Sequence, residues 1–308
     1  MTAIDRPALP TRVAGAPRQP SVQRPWMLRP ALLFLILVTQ VPFLLTLYYS
    51  TSSWNLLRPE RTRFVGLDNY AAPFRNPDFL AILGNTLVLS VAVVVLTLVF
   101  GMLFAMLLNR TFPGRNVVRT LLITPFLIMP VVTAVIWKDV LLNPSFGLIP
   151  QALNVLGLHG ADPLAHNSMA ALIAIVCWEW TPFMMLILLA GLQSVPREPL
   201  EAAQMDGAGT AGTFRYVILP FLMRYIEIAV LLEVLFVLSI FGEIFVVTSG
   251  GPGISTTTLA YDIFQEAFQR WNIGRASALG VFAVVLANIV VISFLRVVRH
   301  ESREREAR

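Results

Sequence analysis

The chain has 308 residues, 56% of them hydrophobic and only 13% charged, with a formal net charge of +5 and a mean hydropathy of +0.71. Such a balance argues for a protein built to sit in lipid and against a solvated, charge-rich domain. A single cysteine, Cys177, leaves no intramolecular disulfide or thiolate metal cage, and no phosphate-binding loop of the G-x-x-x-x-G-K-[ST] type occurs, so the chain does not hydrolyse ATP itself.

In chain order, residues 1–30 are rich in proline and arginine and read as a flexible cytoplasmic tail. The apolar run behind them is too long, and too poor in small residues, for a cleaved signal peptide. Six apolar windows of about 20 residues follow, at 31–49, 82–108, 121–140, 169–192, 226–248 and 276–295. None alternates as a barrel strand would, so the expected class is all-α, a polytopic membrane protein with six transmembrane helices. The spans and their loops define a domain over 31–295, with a large loop at 193–225 and a short tail at 296–308.

Arginines set the expected orientation. Five lie in the N-terminal tail, three after span 2 (Arg110, Arg115, Arg119), three after span 4 (Arg197, Arg215, Arg224) and five in the C-terminal tail. Those sixteen of 23 basic residues share one side, which the positive-inside rule makes cytoplasmic. Both termini and the loop after span 4 are then cytoplasmic. Headgroups and this bias account for the arginines, so membrane lipid is an expected partner and nucleic acid is not. The histidines His159, His166 and His300 show no metal or nucleophile spacing.

Carboxylates inside apolar runs are the next signal. Glu179 lies near the middle of span 4, and Glu233 and Glu243 lie in span 5. A charge at mid-membrane costs about 2.5–3.5 kcal/mol on insertion scales, so such groups usually face a cavity or a partner. In span 4, Glu179, Trp180 and Phe183 share a helical face; in span 5, Glu233, Phe236, Ile240 and Glu243 follow 3-4-3 spacing. Carboxylates accept hydrogen bonds from hydroxyls while aromatic faces cover C–H surface, which suits an uncharged polyhydroxylated solute. A buried glutamate can equally be protonated or bond a neighbouring helix. Pro125, Pro130 and Pro182 can kink their spans.

The loop after span 4 carries E-A-A-Q-M-D-G at 201–207 and V-I-L-P at 217–220. Glu201, Ala202 and Ala203 are good helix formers behind Pro199, Gly207 is placed to stop that helix, and Pro220 is expected to end whatever follows. A short polar helix with two carboxylates, Glu201 and Asp206, is easily clasped by another protein. The spacing resembles the E-A-A motif of binding-protein-dependent ABC importer permeases: E-A-A, three residues, Gly207, nine residues, then a position followed by x-L-P, here Leu219 and Pro220. Val217 stands where that family usually has isoleucine. The T-S-G-G-P-G stretch at 248–253, Asn143-Pro144 with Gly147, and Asn85-Thr86 are similar to the carbohydrate (maltose-type) branch. The runs M-P-V-V-T-A-V-I-W-K and F-G-E-I-F-V-V-T-S-G-G-P-G look most like mannitol/sorbitol permeases.

The resemblance implies a type I ABC importer permease fold and a non-catalytic subunit of the bacterial cytoplasmic membrane. It implies three protein partners: a second permease, an ABC ATPase dimer and an extracytoplasmic solute-binding protein. It implies no cofactor in this chain, with ATP and Mg on the ATPase. It places ATPase coupling at Glu201, Ala202, Ala203, Asp206, Gly207, Leu219 and Pro220. Alternatives that remain are a permease for a disaccharide, glycerol phosphate or amino acid, a membrane-embedded enzyme, and a structural anchor subunit.

Overall fold

The structure is a computed structural model that describes residues 25–157 and 162–306; the tail before residue 25 and His159 lie outside the described residues. Among them there are helices and turns and two isolated β-bridges. The chain divides into two units, Met1–Leu45 and Thr46–Arg308.

The main elements are α1 (Pro25–Ser50), α2 (Phe79–Leu108), α3 (Arg115–Leu127), α4 (Pro130–Val135), α5 (Ser168–Gln193), α6 (Arg197–Met205), α7 (Leu219–Leu238), α8 (Gly242–Val247), α9 (Leu259–Phe264) and α10 (Ile273–Glu306). Helix α2, at 30 residues, is about 45 Å long and outreaches a hydrocarbon layer of about 30 Å. Among the described residues four helices are long and apolar enough to cross a membrane, and a fifth joins them if α3 and the segment from Pro130 to Leu141 count as one broken span.

Two expected spans are therefore not single rods. The window at 121–140 bends by 96° between α3 and α4. Its cause is Pro130: the ring disfavours the helical region for the residue before it, and Met129 sits at φ −61°, ψ 136°. The window at 226–248 breaks at Ser239–Phe241, with Phe241 at φ −134°. Its first part, α7, also carries three charged residues, Arg224, Glu227 and Glu233, and so falls outside the apolar set. The two breaks meet, since α8 packs on α4 and a methyl on Gly242 would lie 3.7 Å from Val131 and 3.8 Å from Pro130. Pro182 lies inside α5, which runs on without interruption.

The core is the packing of α2 on α5, with α7 against both. Gly101 lets α2 lie on α5 so closely that a Cβ there would stand 2.8 Å from Met184 Cγ. Gly191 does the same for α5 and α7, where Leu222 and Tyr225 would be 2.7 Å away. In lipid, where apolar side chains gain little by leaving the hydrocarbon, such close backbone approach supplies the dispersion that holds helices together.

Candidate functional site

Helix α6 has no buried residue, and Met205 is 88% exposed. It holds the exposed Glu201 and Ala202 and the half-buried Ala203 on one turn, with Asp206 as its C-cap. Gly207 follows at φ +77°, the left-handed conformation that an L side chain resists. The Gly207 N–H donates to the Gln204 carbonyl at 3.1 Å and the Ala208 N–H to the Ala203 carbonyl at 2.9 Å, a Schellman termination. The sequence expectation for Gly207 therefore holds locally.

Pro220 behaves differently from its expectation. It does not end a helix; it lies in the first turn of α7, directly after a π-helical turn at Phe214–Ile218. Proline lacks the N–H that would bond one turn back and crowds that carbonyl, and the wider turn before it accommodates both defects. Leu219 packs on the main core, so this end of the loop is anchored. At the other end the hydroxyls of Ser194 and Tyr225 are 2.7 Å apart. The exposed helix is thus mounted on α5 and α7 at both sides.

The aromatic members of the two expected stripes come together. Trp180 stacks on Phe236 with ring centroids 5.1 Å apart, and Phe183 meets Phe236 edge-on at 6.0 Å. Phe126 of α3 lies 5.7 Å from both Trp180 and Phe183. Helical spacing does not reveal Phe126, because it lies on a different helix, α3, which packs on α5. Phe236 is 48% exposed, so this aromatic face is open.

The carboxylates do not follow the single stripe drawn for 233–243. Glu243 lies beyond the break, on α8, and its carboxyl interacts with that of Glu179. Ile240, inside the break, is buried among Val176, Val237 and Ile244 and has a packing environment. Glu233 points elsewhere: its Oε1 accepts a hydrogen bond from Thr97 Oγ1 of α2 at 2.6 Å. Thr97 was not legible as a site residue, since a threonine in an apolar helix usually bonds its own backbone, as this one also does to Val93. Glu179 Oε2, Glu233 Oε2 and Trp180 Nε1 are buried without a hydrogen-bond partner, and so are Thr133 Oγ1 and Trp137 Nε1. Orphaned buried polar atoms are costly and call for an occupant or a function.

Other motif residues hold the frame. Asn85 Nδ2 donates to the carbonyls of Ile254 and Thr257 at 2.7 and 3.2 Å, and the Leu259 N–H donates to Thr86 Oγ1 at 2.8 Å. The 248–258 turn is thereby clamped to α2. The sole lysine, Lys138, donates to the Val246 carbonyl at 2.8 Å, a cation at the C-terminal end of α8. Beyond that turn, Arg270 bonds Glu266 at 2.6 Å and lies 3.8 Å from Asp262. Burial pushes the Asp262 carboxyl up to about 6, Glu266 adding to the rise and Arg270 opposing it. Among the described residues no group of histidine, cysteine or carboxylate side chains could hold a metal ion.

A family described as "Binding-protein-dependent transport system inner membrane component" matches residues 97–303. The chain is 38% identical over 262 residues to a probable ABC transporter permease protein, y4oQ, of Sinorhizobium fredii, covering 84% of each chain. It is 33% identical to the trehalose/maltose transport system permease protein MalF of Thermococcus litoralis, over 89% of this chain and 92% of that one. It is also 33% identical to the sulfoquinovosyl glycerol transport system permease protein SmoG of Agrobacterium fabrum, over 89% of each. In fold it resembles a bacterial ABC transporter that imports alginate, with a TM-score of 0.74 at 22% identity, over 91% of this chain and 94% of that one.

Proposed function

The chain belongs to the family of binding-protein-dependent transport system inner membrane components, and on that premise we propose that it is one of two membrane-spanning subunits of an ATP-driven importer for a sugar or sugar alcohol. It is a transport subunit and not an enzyme. Its partners in this reading are a second permease, an ABC ATPase dimer and an extracytoplasmic solute-binding protein. Counting the broken segments 115–141 and 219–247 as one span each, six spans put both termini and α6 in the cytoplasm, in keeping with the arginine distribution.

The observation that carries the proposal is α6, a stiffly terminated helix with no buried residue on an otherwise lipid-adapted chain. Seated in a groove of the ATPase, it moves when that dimer closes on ATP. Its mounting explains where the motion goes. The Ser194–Tyr225 contact and the tight Gly191 crossing tie α6 to α5 and α7, which carry Glu179, Trp180 and Phe183 on one side and Glu233 and Phe236 on the other. Rocking of those two helices would part or close the aromatic face. A solute with many hydroxyls could then meet Phe236 and Trp180 and bond the unpartnered oxygens of Glu179 and Glu233. Glu243 belongs to this pathway through Glu179.

A mannitol- or sorbitol-like solute fits the motif runs. The trehalose and maltose that name the MalF system of Thermococcus litoralis favour a disaccharide as the second reading. Uptake by cells expressing the full importer, with labelled mannitol, sorbitol, trehalose, maltose and an amino acid, tests both. Saturable, ATP-dependent uptake of one uncharged polyhydroxylated solute is the expected result. Uptake of the amino acid alone would refute the proposal, and failure to co-purify with an ATPase would make the chain an anchor.

A further inference from the structure

The loop between α1 and α2 carries positive charge on the side where a bacterial membrane protein has least. Seven basic residues lie outside the four arginine clusters assigned to the cytoplasm, and four of them, Arg58, Arg61, Arg63 and Arg75, fall in residues 51–78. Three of these, Arg58, Arg61 and Arg63, line one open concavity of about 780 Å³ together with Ser53, Asn55 and Glu60. Among the described residues every ion pair involves Arg270, so these three guanidiniums have no carboxylate partner.

The concavity is built rather than draped. The Ser53 N–H donates to the Arg63 carbonyl at 2.9 Å, and the Arg63 N–H donates to Ser53 Oγ at 3.3 Å. The Asn55 side chain accepts from the Leu57 N–H at 2.9 Å, turning the chain toward Arg58. The Leu56 N–H bonds the Trp271 carbonyl and the Gly274 N–H bonds the Trp54 carbonyl, which fastens the loop to the start of α10. A side chain at Gly274 would collide with the Ser52 carbonyl, so that seam is close-packed.

Its surroundings identify the occupant. The loop leaves a helix long and apolar enough to cross a membrane at Ser50, eight residues before Arg58; with that helix as a span, the loop begins where hydrocarbon gives way to headgroups. Beside the arginines, Leu57, Phe64 and Leu67 are 68%, 78% and 73% exposed. Guanidiniums next to outward apolar side chains are the composition of a segment lying in the headgroup boundary, with the apolar groups in the acyl region and the arginines at phosphate depth. Arginine binds a phosphate through paired N–H groups. We propose that this concavity binds the phosphate of an anionic phospholipid in the outer leaflet and so holds the loop, and the α10 end bonded to it, at a fixed depth. The placement in the outer leaflet rests on the orientation given under Proposed function.

The test uses the assembled importer, purified and supplied with phosphatidylglycerol, phosphatidylcholine, or inorganic phosphate. Native mass spectrometry counts the lipids retained by wild type and by the triple variant Arg58→Gln, Arg61→Gln, Arg63→Gln. The expected result is one fewer phosphatidylglycerol per copy of the variant, bound more weakly by roughly 100-fold, the combined contribution of three arginines near an anionic surface. Phosphatidylcholine should be unaffected. Equal phosphatidylglycerol counts would overturn the proposal. So would displacement by inorganic phosphate alone, which would make the site one for a free anion. Loss of affinity for the solute-binding protein with lipid retention unchanged would overturn it in favour of protein docking. Labelling of Leu57→Cys by an impermeant maleimide on intact spheroplasts checks the side separately. Reaction only after lysis would overturn the orientation and leave the sugar assay to judge the function.

Discussion

Gly207 offers the sharpest test of coupling, because its constraint is purely one of backbone conformation. Its φ is +77°, yet nothing lies within 4 Å of where a Cβ would stand. A substitution therefore meets no clash and costs only the left-handed penalty, about 1–2 kcal/mol for an L residue and least for asparagine. Against a global stability of about 5–15 kcal/mol that loss leaves the bundle folded, with a melting shift of about 2–4 °C per kcal/mol. Locally the same penalty lowers the population of the terminated helix by roughly 5- to 30-fold, which is the part a partner would grip. Uptake by cells with matched membrane levels of the subunit should fall in the order glycine, asparagine, alanine, valine, while melting temperatures stay close together. Gly207→Asp adds a carboxylate at the negative end of α6 and should abolish transport with insertion intact. Wild-type uptake by Gly207→Val would refute the coupling role. Loss of that variant from the membrane would show that Gly207 serves folding instead.

Glu179→Ala should impair uptake severalfold while the ATPase subunits stay attached on purification; unchanged kinetics and substrate range would make Glu179 structural. Thr97→Val removes the partner of Glu233 Oε1 and should destabilise the subunit by about 1 kcal/mol, and by more if that carboxyl is ionised. In a double-mutant cycle with Glu233→Gln the losses should be less than additive, and strict additivity would break the pairing. Asp262 titrates at about 6 rather than at its ordinary 3.8, so the folded state binds a proton that the unfolded chain releases. Its stabilisation is complete below the unfolded value and is lost as pH rises through about 6. Between pH 7.5 and 5.5 the melting temperature of wild type should thus rise more than that of Asp262→Asn, and parallel curves would contradict the burial of that carboxyl.

Much of this molecule is legible in one dimension because lipid permits so few solutions. An apolar run of about 20 residues has to satisfy its backbone internally, so α2 and α5 could be drawn within three residues of their ends. The stop at Gly207 was equally plain, since a glycine behind E-A-A can adopt a left-handed turn at no steric cost. Spans 3 and 5 are each broken, which hydropathy does not show. Hydropathy averages over a window and does not register that Pro130 forces Met129 out of the helix, or that Gly242 lets α8 settle on α4.

The same averaging limited the candidate site. Helical spacing puts Glu233 and Glu243 on one stripe, but spacing holds only while a helix is continuous: Glu233, before the break at Ser239–Phe241, meets Thr97, and Glu243, beyond it, meets Glu179. Class, membrane residence and the place of the exposed polar helix were properties of the sequence alone, because they depend on local composition and on one backbone dihedral. Which carboxylates meet and which aromatics share a face with Phe126 were decided by tertiary packing, because those contacts join residues whose separation along the chain carries no period.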